Sequence, residues 1–388
     1  MGEEKGPSLQ IDKLLGFVVS KNASDLHLDV GRPPVVRLHG RLKTLQTKVL
    51  TPEDTDGLMR SITPERYQEE LEKDGSADFG FSFQDNARFR AAVFKQRGNV
   101  GLSLRLIPSR LMTLTEIGLP SIVETLLGKA RGLFLVTGPT GSGKTTTLAS
   151  MVNYINENYD RHIITVEEPI EYYHEHKKSI VNQRELGTDV PSYDEAIRRA
   201  LRADPDVILV GEMRDTQTMA AAIRAAETGH LVFSTLHTTG AAGTVNRIVD
   251  GFPPAQKDMI RIQLAGSLMA VVSQTLVPRI DMPGRIAAYE FLWITPAAQN
   301  LIRKAETYRL ESLIQTGRKW GMQLLDDSLW DLYSRGVIAA EEMIERSQRR
   351  EELEQKLAET DEGREALRRI GGPVDEKDLK AFHRTAVR

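Results

Sequence analysis

"LFLVTGPTGSGKTTTLASM", residues 133–151, opens with an apolar run, turns on glycines and continues into a helix-favouring stretch. Gly138 to Thr145 fits the phosphate-loop spacing G-x-x-x-x-G-K-[ST], in the strand–loop–helix setting that the motif requires. Glycines let backbone N–H groups surround phosphate oxygens, and a helix starting near Gly143 adds the positive end of its dipole. The candidate nucleotide-binding residues are therefore Gly138, Pro139, Thr140, Gly141, Ser142, Gly143, Lys144, Thr145 and Thr146. Lys144 is directed at the β and γ phosphates and the Thr145 hydroxyl at Mg²⁺, so ATP and Mg²⁺ are the expected ligands. From Leu133 onward the text alternates strand, glycine turn, helix and strand, the grammar of a parallel sheet, and the fold class is α/β.

Downstream, "HIITVEEPIEYYH" (162–174) reads as a strand ending in Glu167 and Glu168, stopped by Pro169, with Glu171 just beyond. Ligands of open parallel sheets sit at the carboxyl ends of strands, where these acids fall, so they can hold Mg²⁺ through water or orient the attacking water. "ADPDVILVGEMRD" (203–215) supplies a strand at Val207–Val210 and delivers Glu212 to the same edge. A standard Walker B strand ends in Asp; with Gly211 in that place, Glu212 carries either the metal contact or the activation of water, and both remain open. Asp215 then caps a helix that Gly229 ends. "TGHLVFSTLHTT" (228–239) places His230 and His237 at opposite ends of a strand. Residues seven apart on a strand lie about 23 Å apart at ~3.3 Å per residue, so one metal ion cannot take both. His237 falls at the phosphate end and is a candidate phosphate-sensing or hydrogen-bonding group.

Upstream, from about Leu26 to Pro108, apolar residues alternate: Leu26, Leu28 and Val30 before "GRPP", Val36 and Leu38 before Gly40, then Phe79, Phe81 and Phe83 before "QDN" and Phe89, Ala91 and Val93 after it. Hairpins with a further strand at Leu102–Leu106 are predicted. Arg88 and Arg90 lie opposite the Phe89 face, and Arg105 lies opposite Leu104 and Leu106, so each arginine points away from the core. They form either a solvated sheet face or a basic surface offered to a ligand. The proline-bearing stretch around 109–119 reads as a linker after a first domain, 1–108. An ATPase core (120–295), C-terminal helices (296–346) and a charged tail (347–388), a solvated helix or frayed extension, complete the division. Thr295 and Pro296 mark one helix start in this part.

The net charge of −3 gives no electrostatic footprint for nucleic acid, and the absence of cysteine excludes disulfides and thiolate zinc sites. The first residues lack the apolar core of a signal peptide and no run of ~18 apolar residues occurs, which predicts a cytoplasmic location.

"LRADPDVILVGEMRD", "SDLHLDVGRPPVVRLHG", "ARFR", "NQRELGTD", "AAETGHLVFSTLHTTGAAGTVNRIVDGFPPAQK", "SQTLVPR" and "IQTGRKWGMQLLD" resemble the type IV pilus retraction (twitching motility) ATPases of the secretion and pilus ATPase superfamily, over about residues 10–345. The resemblance implies a PAS-like N-terminal domain joined to a RecA-like ATPase domain, a homohexameric ring, and a motor at the inner face of the cytoplasmic membrane. Its partners would be an inner-membrane pilus platform protein and a paralogous retraction ATPase. It places functional boxes on Gly138–Thr145, Glu167–Glu171, Glu212, and His230 with His237, and brings Arg88, Arg90 and Arg105 near the phosphates. "AAQNLIRK" (297–304) stands where these motors carry "AIRNLIRE", and the chain runs past their usual end, as accessory retraction paralogues also do. A nucleic-acid translocase is disfavoured by the charge, a non-enzymatic nucleotide-gated scaffold by the intact Lys144 and Glu212.

Overall fold

The computed structural model describes residues 10–370 apart from 22, 39–40, 85–86 and 108–109. Gly40, the tip of the "QDN" turn, Pro108 and the tail beyond 370 lie outside the described residues. The chain divides into two compact units: one reaches to Leu111 and includes Glu168–Tyr173, the other comprises Met112–Glu167 and the chain from His174.

Among the described residues of the first unit, six strands form one sheet: β1 (Asp25–Leu28), β2 (Val35–Leu38), β3 (Arg41–Thr44), β4 (Ser76–Phe83), β5 (Ala87–Gln96) and β6 (Asn99–Ile107), in the order β3-β2-β1-β6-β5-β4. The period-two pattern does its expected work, because Leu26, Leu28, Phe79, Phe89, Ala91, Val93, Leu102 and Leu104 share one core with Ile11, Leu15 and Val18 of a helix (Ile11–Ser20) and Leu58 and Met59 of another (Pro52–Ile62). Pairing Phe81 with Phe89 across β4 and β5 stacks the two rings, centroids 5.7 Å apart. The short β3, which pairs with β2, had no apolar alternation to announce it.

The second unit is built on a sheet of order β13-β12-β7-β11-β10-β8-β9, with β7 (Gly132–Thr137), β8 (His162–Glu167), β9 (Ile180–Glu185), β10 (Val207–Val210), β11 (Leu231–Leu236), β12 (Leu268–Pro278) and β13 (Arg285–Trp293). Strands β7 to β12 pair parallel, and β13 closes the edge antiparallel to β12. Leu133 and Leu135 are buried in one core while Phe134 and Val136 are buried in another, as a sheet covered on both faces demands. The register sets Thr137 beside Leu236 and Val210 beside both Ser234 and Val166, so the residues after β7, β8, β10 and β11 emerge along one edge. Asp215 caps its helix through the Thr218 N–H, and Thr295 caps Pro296–Arg303 through the Ala298 N–H.

The tail departs from its expected solvation. Helices Arg350–Ala358 and Asp361–Arg369 bury Leu353, Leu357, Ala366 and Leu367 in a core with Val277 of β12, Ala288 of β13 and Leu325, Leu329 and Leu332. The i, i+4 pair Leu353–Leu357 is a narrow apolar stripe that the flanking charges hid. Asp326 anchors the connection by accepting the Gln348 and Arg349 backbone N–H groups at 2.9 and 2.7 Å. No helix among the described residues is long and apolar enough to cross a membrane.

Candidate active site

The loop after β7 turns through Gly138, Gly141 and Gly143, all at positive φ, and delivers Lys144 as the first residue of a fifteen-residue helix. A Cβ on Gly138 would lie 2.1 Å from the Gln274 carbonyl oxygen, so glycine is required there by space as well as by φ. The Lys144 ammonium is buried and donates to the Gly138 and Pro139 carbonyl oxygens at 2.9 and 3.0 Å. Burial pushes its pKa below the ordinary lysine value, and the negative charge of Glu212 opposes that fall. The Ser142 hydroxyl is buried with no hydrogen-bond partner among the described residues. A buried cation and an orphaned hydroxyl on a glycine loop at a helix N-terminus fit an anionic phosphate chain.

At the same edge, Glu212 is held between two cations or donors: Arg214 Nε approaches one carboxylate oxygen at 2.9 Å and His237 Nε2 the other at 3.2 Å. On its other side, His237 Nδ1 lies 3.4 Å from the Thr140 hydroxyl, within hydrogen-bonding reach. His237 thus bridges the phosphate loop and Glu212. Gly211 precedes Glu212 because a Cβ there would sit 3.0 Å from the Tyr193 hydroxyl and 3.2 Å from the Val166 carbonyl oxygen. Glu167, closing β8, accepts from Thr165 Oγ1 at 2.7 Å and Gln183 Nε2 at 3.2 Å. Gln183 also receives the His174 backbone N–H.

His230 is not gathered there. It precedes β11 at the opposite end from His237, and its Nδ1 hydrogen-bonds the Ala225 carbonyl at 2.9 Å, finishing the preceding helix. Glu168 and Glu171 belong to the first unit, where Glu171 faces Arg90 at 3.9 Å. Of the two alternatives for the arginines, a solvated sheet face or a basic surface offered to a ligand, Arg88 departs from the first: it leaves the Phe89 core but is buried, donating through Nε to the Ile170 carbonyl at 2.8 Å and stacking over Tyr173. Gly80 makes the room, since a Cβ there would come within 2.7 Å of the guanidinium. Arg105 stays largely exposed and pairs with Asp25 at 2.9 Å.

Three buried polar residues of the β12–β13 ribbon went without a role in the sequence. Gln274 contacts both Ser142 and Thr147, while Ser273 and Glu290, paired across the ribbon, accept the Gly240 and Ala241 N–H groups at 2.9 and 2.7 Å. Burial raises the Glu290 pKa, partly offset by the Ala241 hydrogen bond. "SQTLVPR" entered the sequence reading only as a piece of the family resemblance, and in a strand a buried polar side chain is indistinguishable by pattern from a solvated one.

The family described as type II/IV secretion system protein matches residues 7–345. The chain belongs to this family. Similar to it is the type IV pilus retraction ATPase PilT of Pseudomonas aeruginosa, 45% identical over 339 residues that cover 87% of this chain and 98% of that one. The type IV pilus ATPase PilU of the same organism is 39% identical, over 87% and 88% of the two chains. Among solved structures of the family, the pilus retraction motor PilT with bound ADP superposes with a TM-score of 0.83 at 48% identity, covering 89% of this chain and 99% of that chain.

Proposed function

We propose that this family member is an ATP-hydrolysing motor that powers type IV pilus retraction. The observation that carries the reading is the Thr140–His237–Glu212 linkage beside the buried Lys144, in a chain that spans 98% of a retraction ATPase at 45% identity. Backbone N–H groups of the loop from Thr140 to Thr145 take the phosphate oxygens, and Lys144 exchanges its two loop carbonyls for the β and γ phosphates. Thr145 and Glu212 would hold Mg²⁺, which when bound neutralises charge developing on the transferred phosphoryl group. Glu212, steadied by Arg214 and His237, orients the attacking water. His237 relates that carboxylate to the phosphate loop, so loss of the terminal phosphate alters the hydrogen bonding of both. Glu167 is the second acid of the edge, fixed by Thr165 and Gln183. The working form is a homohexameric ring at the cytoplasmic face of the inner membrane, joined to a pilus platform protein.

Two variants test the enzyme. Lys144→Ala is expected to lose nucleotide binding, whereas Glu212→Gln binds ATP and turns over at least ~100-fold more slowly, because the first meets phosphate charge and the second the reacting water or its metal. A Glu212→Gln protein with undiminished turnover refutes the assignment. A deletion strain that remains piliated but cannot twitch supports the motor reading; a strain whose phenotype appears only alongside loss of a paralogue favours an accessory role, to which the PilU similarity points.

A further inference from the structure

Gln274 lies on β12 with 3% of its surface exposed, and its amide is used at both ends. Nε2 donates to the Ser142 carbonyl at 2.7 Å, and Oε1 accepts the Thr147 hydroxyl at 3.0 Å. One side chain therefore joins the phosphate loop to the first turn of the helix that follows it. The main chain adds to this, since the Gln274 carbonyl stands where any side chain on Gly138 would have to go, and Nε2 would lie 3.2 Å from a Cβ on Gly143. Only an amide serves both contacts: a carboxylate cannot donate to Ser142, and an apolar side chain leaves a buried carbonyl and a buried hydroxyl unpaired. On the neighbouring position of β12, Ser273 and its cross-strand partner Glu290 hold Gly240 and Ala241, the start of the helix Ala241–Asp250 that follows His237. Successive strand residues point to opposite faces, so the ribbon grips the phosphate loop with one face and the segment after His237 with the other.

We infer that Gln274 is a positioning residue for the nucleotide, fixing the phosphate loop in the shape that presents its N–H groups and tying it to the ribbon that also fixes the His237 segment. The inference rests on the nucleotide-binding reading above. A contact that shapes the site equally for ground state and transition state changes KM and leaves kcat alone. The test uses the full chain carrying Gln274→Met, Thr147→Val or Thr147→Ser, with affinity for a fluorescent ADP analogue, steady-state ATP kinetics and thermal melting measured on each. Gln274→Met is expected to raise the ADP dissociation constant and the KM for ATP roughly tenfold with kcat within about threefold. Thr147→Val should show a weaker form of the same split, and Thr147→Ser, which keeps the hydroxyl, should restore wild-type values. A folded Gln274→Met protein that binds ADP as the wild type does overturns the inference, whatever its melting temperature. If Gln274→Met does not fold, equal affinities of Thr147→Val and Thr147→Ser overturn it instead. A wild-type protein that binds no ADP refutes the nucleotide reading itself, an outcome separate from both.

Discussion

Lowering the pH from 7.5 to 5 should weaken the second unit through His174. Its Nδ1 is buried with no hydrogen-bond partner among the described residues, and burial, with the nearby charge of Lys177, lowers the ring's pKa from 6.5 to about 4. The unfolded chain therefore binds a proton between those values that the folded chain excludes, and stability present above pH 6.5 is lost as pH falls toward 4. For a single site with these two constants the loss at pH 5 is about 2 kcal/mol, and it is negligible at pH 7.5. In a unit of this size that corresponds to roughly 4–8 °C in melting temperature. Other groups titrate over the same interval, so the quantity to measure is the difference between wild type and His174→Leu, followed by thermal or urea unfolding across the pH range. The His174→Leu protein is expected to lose less stability on acidification by about that amount. Parallel curves for the two proteins, or an NMR titration placing the His174 ring near 6.5, would refute the reasoning. Because the His174 N–H binds Gln183 and Gln183 binds Glu167, ATP turnover should fall over the same interval.

Leu357→Ala removes a fully buried side chain and is expected to cost about 3 kcal/mol, whereas Glu359→Ala on the exposed side of the same segment should stay within ~0.5 kcal/mol; equal effects on the melting temperature would detach the tail helices from the body. The two histidines should separate cleanly. His237→Ala is expected to lower turnover at least ~10-fold through Glu212, and His230→Ala to cost about 1 kcal/mol of stability with turnover kept, both read from ATP kinetics and melting of the purified variants.

Residues whose partners are close in sequence or enforced by the sheet were readable in advance. Lys144, Glu212 and His237 each follow a strand of obvious pattern, and parallel pairing brings strand ends to one edge whatever the details. Arg88 was not readable, because what covers it lies 82 residues downstream and alternation says only which face a side chain leaves by. Gln274 and Glu290 escaped for a related reason: their partners, Ser142 and Ala241, are 132 and 49 residues away, and polar residues in a strand look solvated until the covering segment is known. The tail leucines failed differently, since a two-residue stripe among charges is too short for periodicity to outweigh composition.

The segment Glu168–Tyr173 has a consequence for how this protein can be divided. It is encoded within the stretch of chain that otherwise forms the second unit yet packs as part of the first, where Ile170 and Tyr172 are buried and Arg88 finds its acceptor. Cutting at the boundary near 111 would strand those apolar side chains on one fragment and an unmatched buried guanidinium on the other, so neither piece is a complete folding unit. The two halves cannot be shuffled as independent cassettes: exchanging either one with a relative must carry the loop's matching partner along, and chimeras that ignore it should come out of solution.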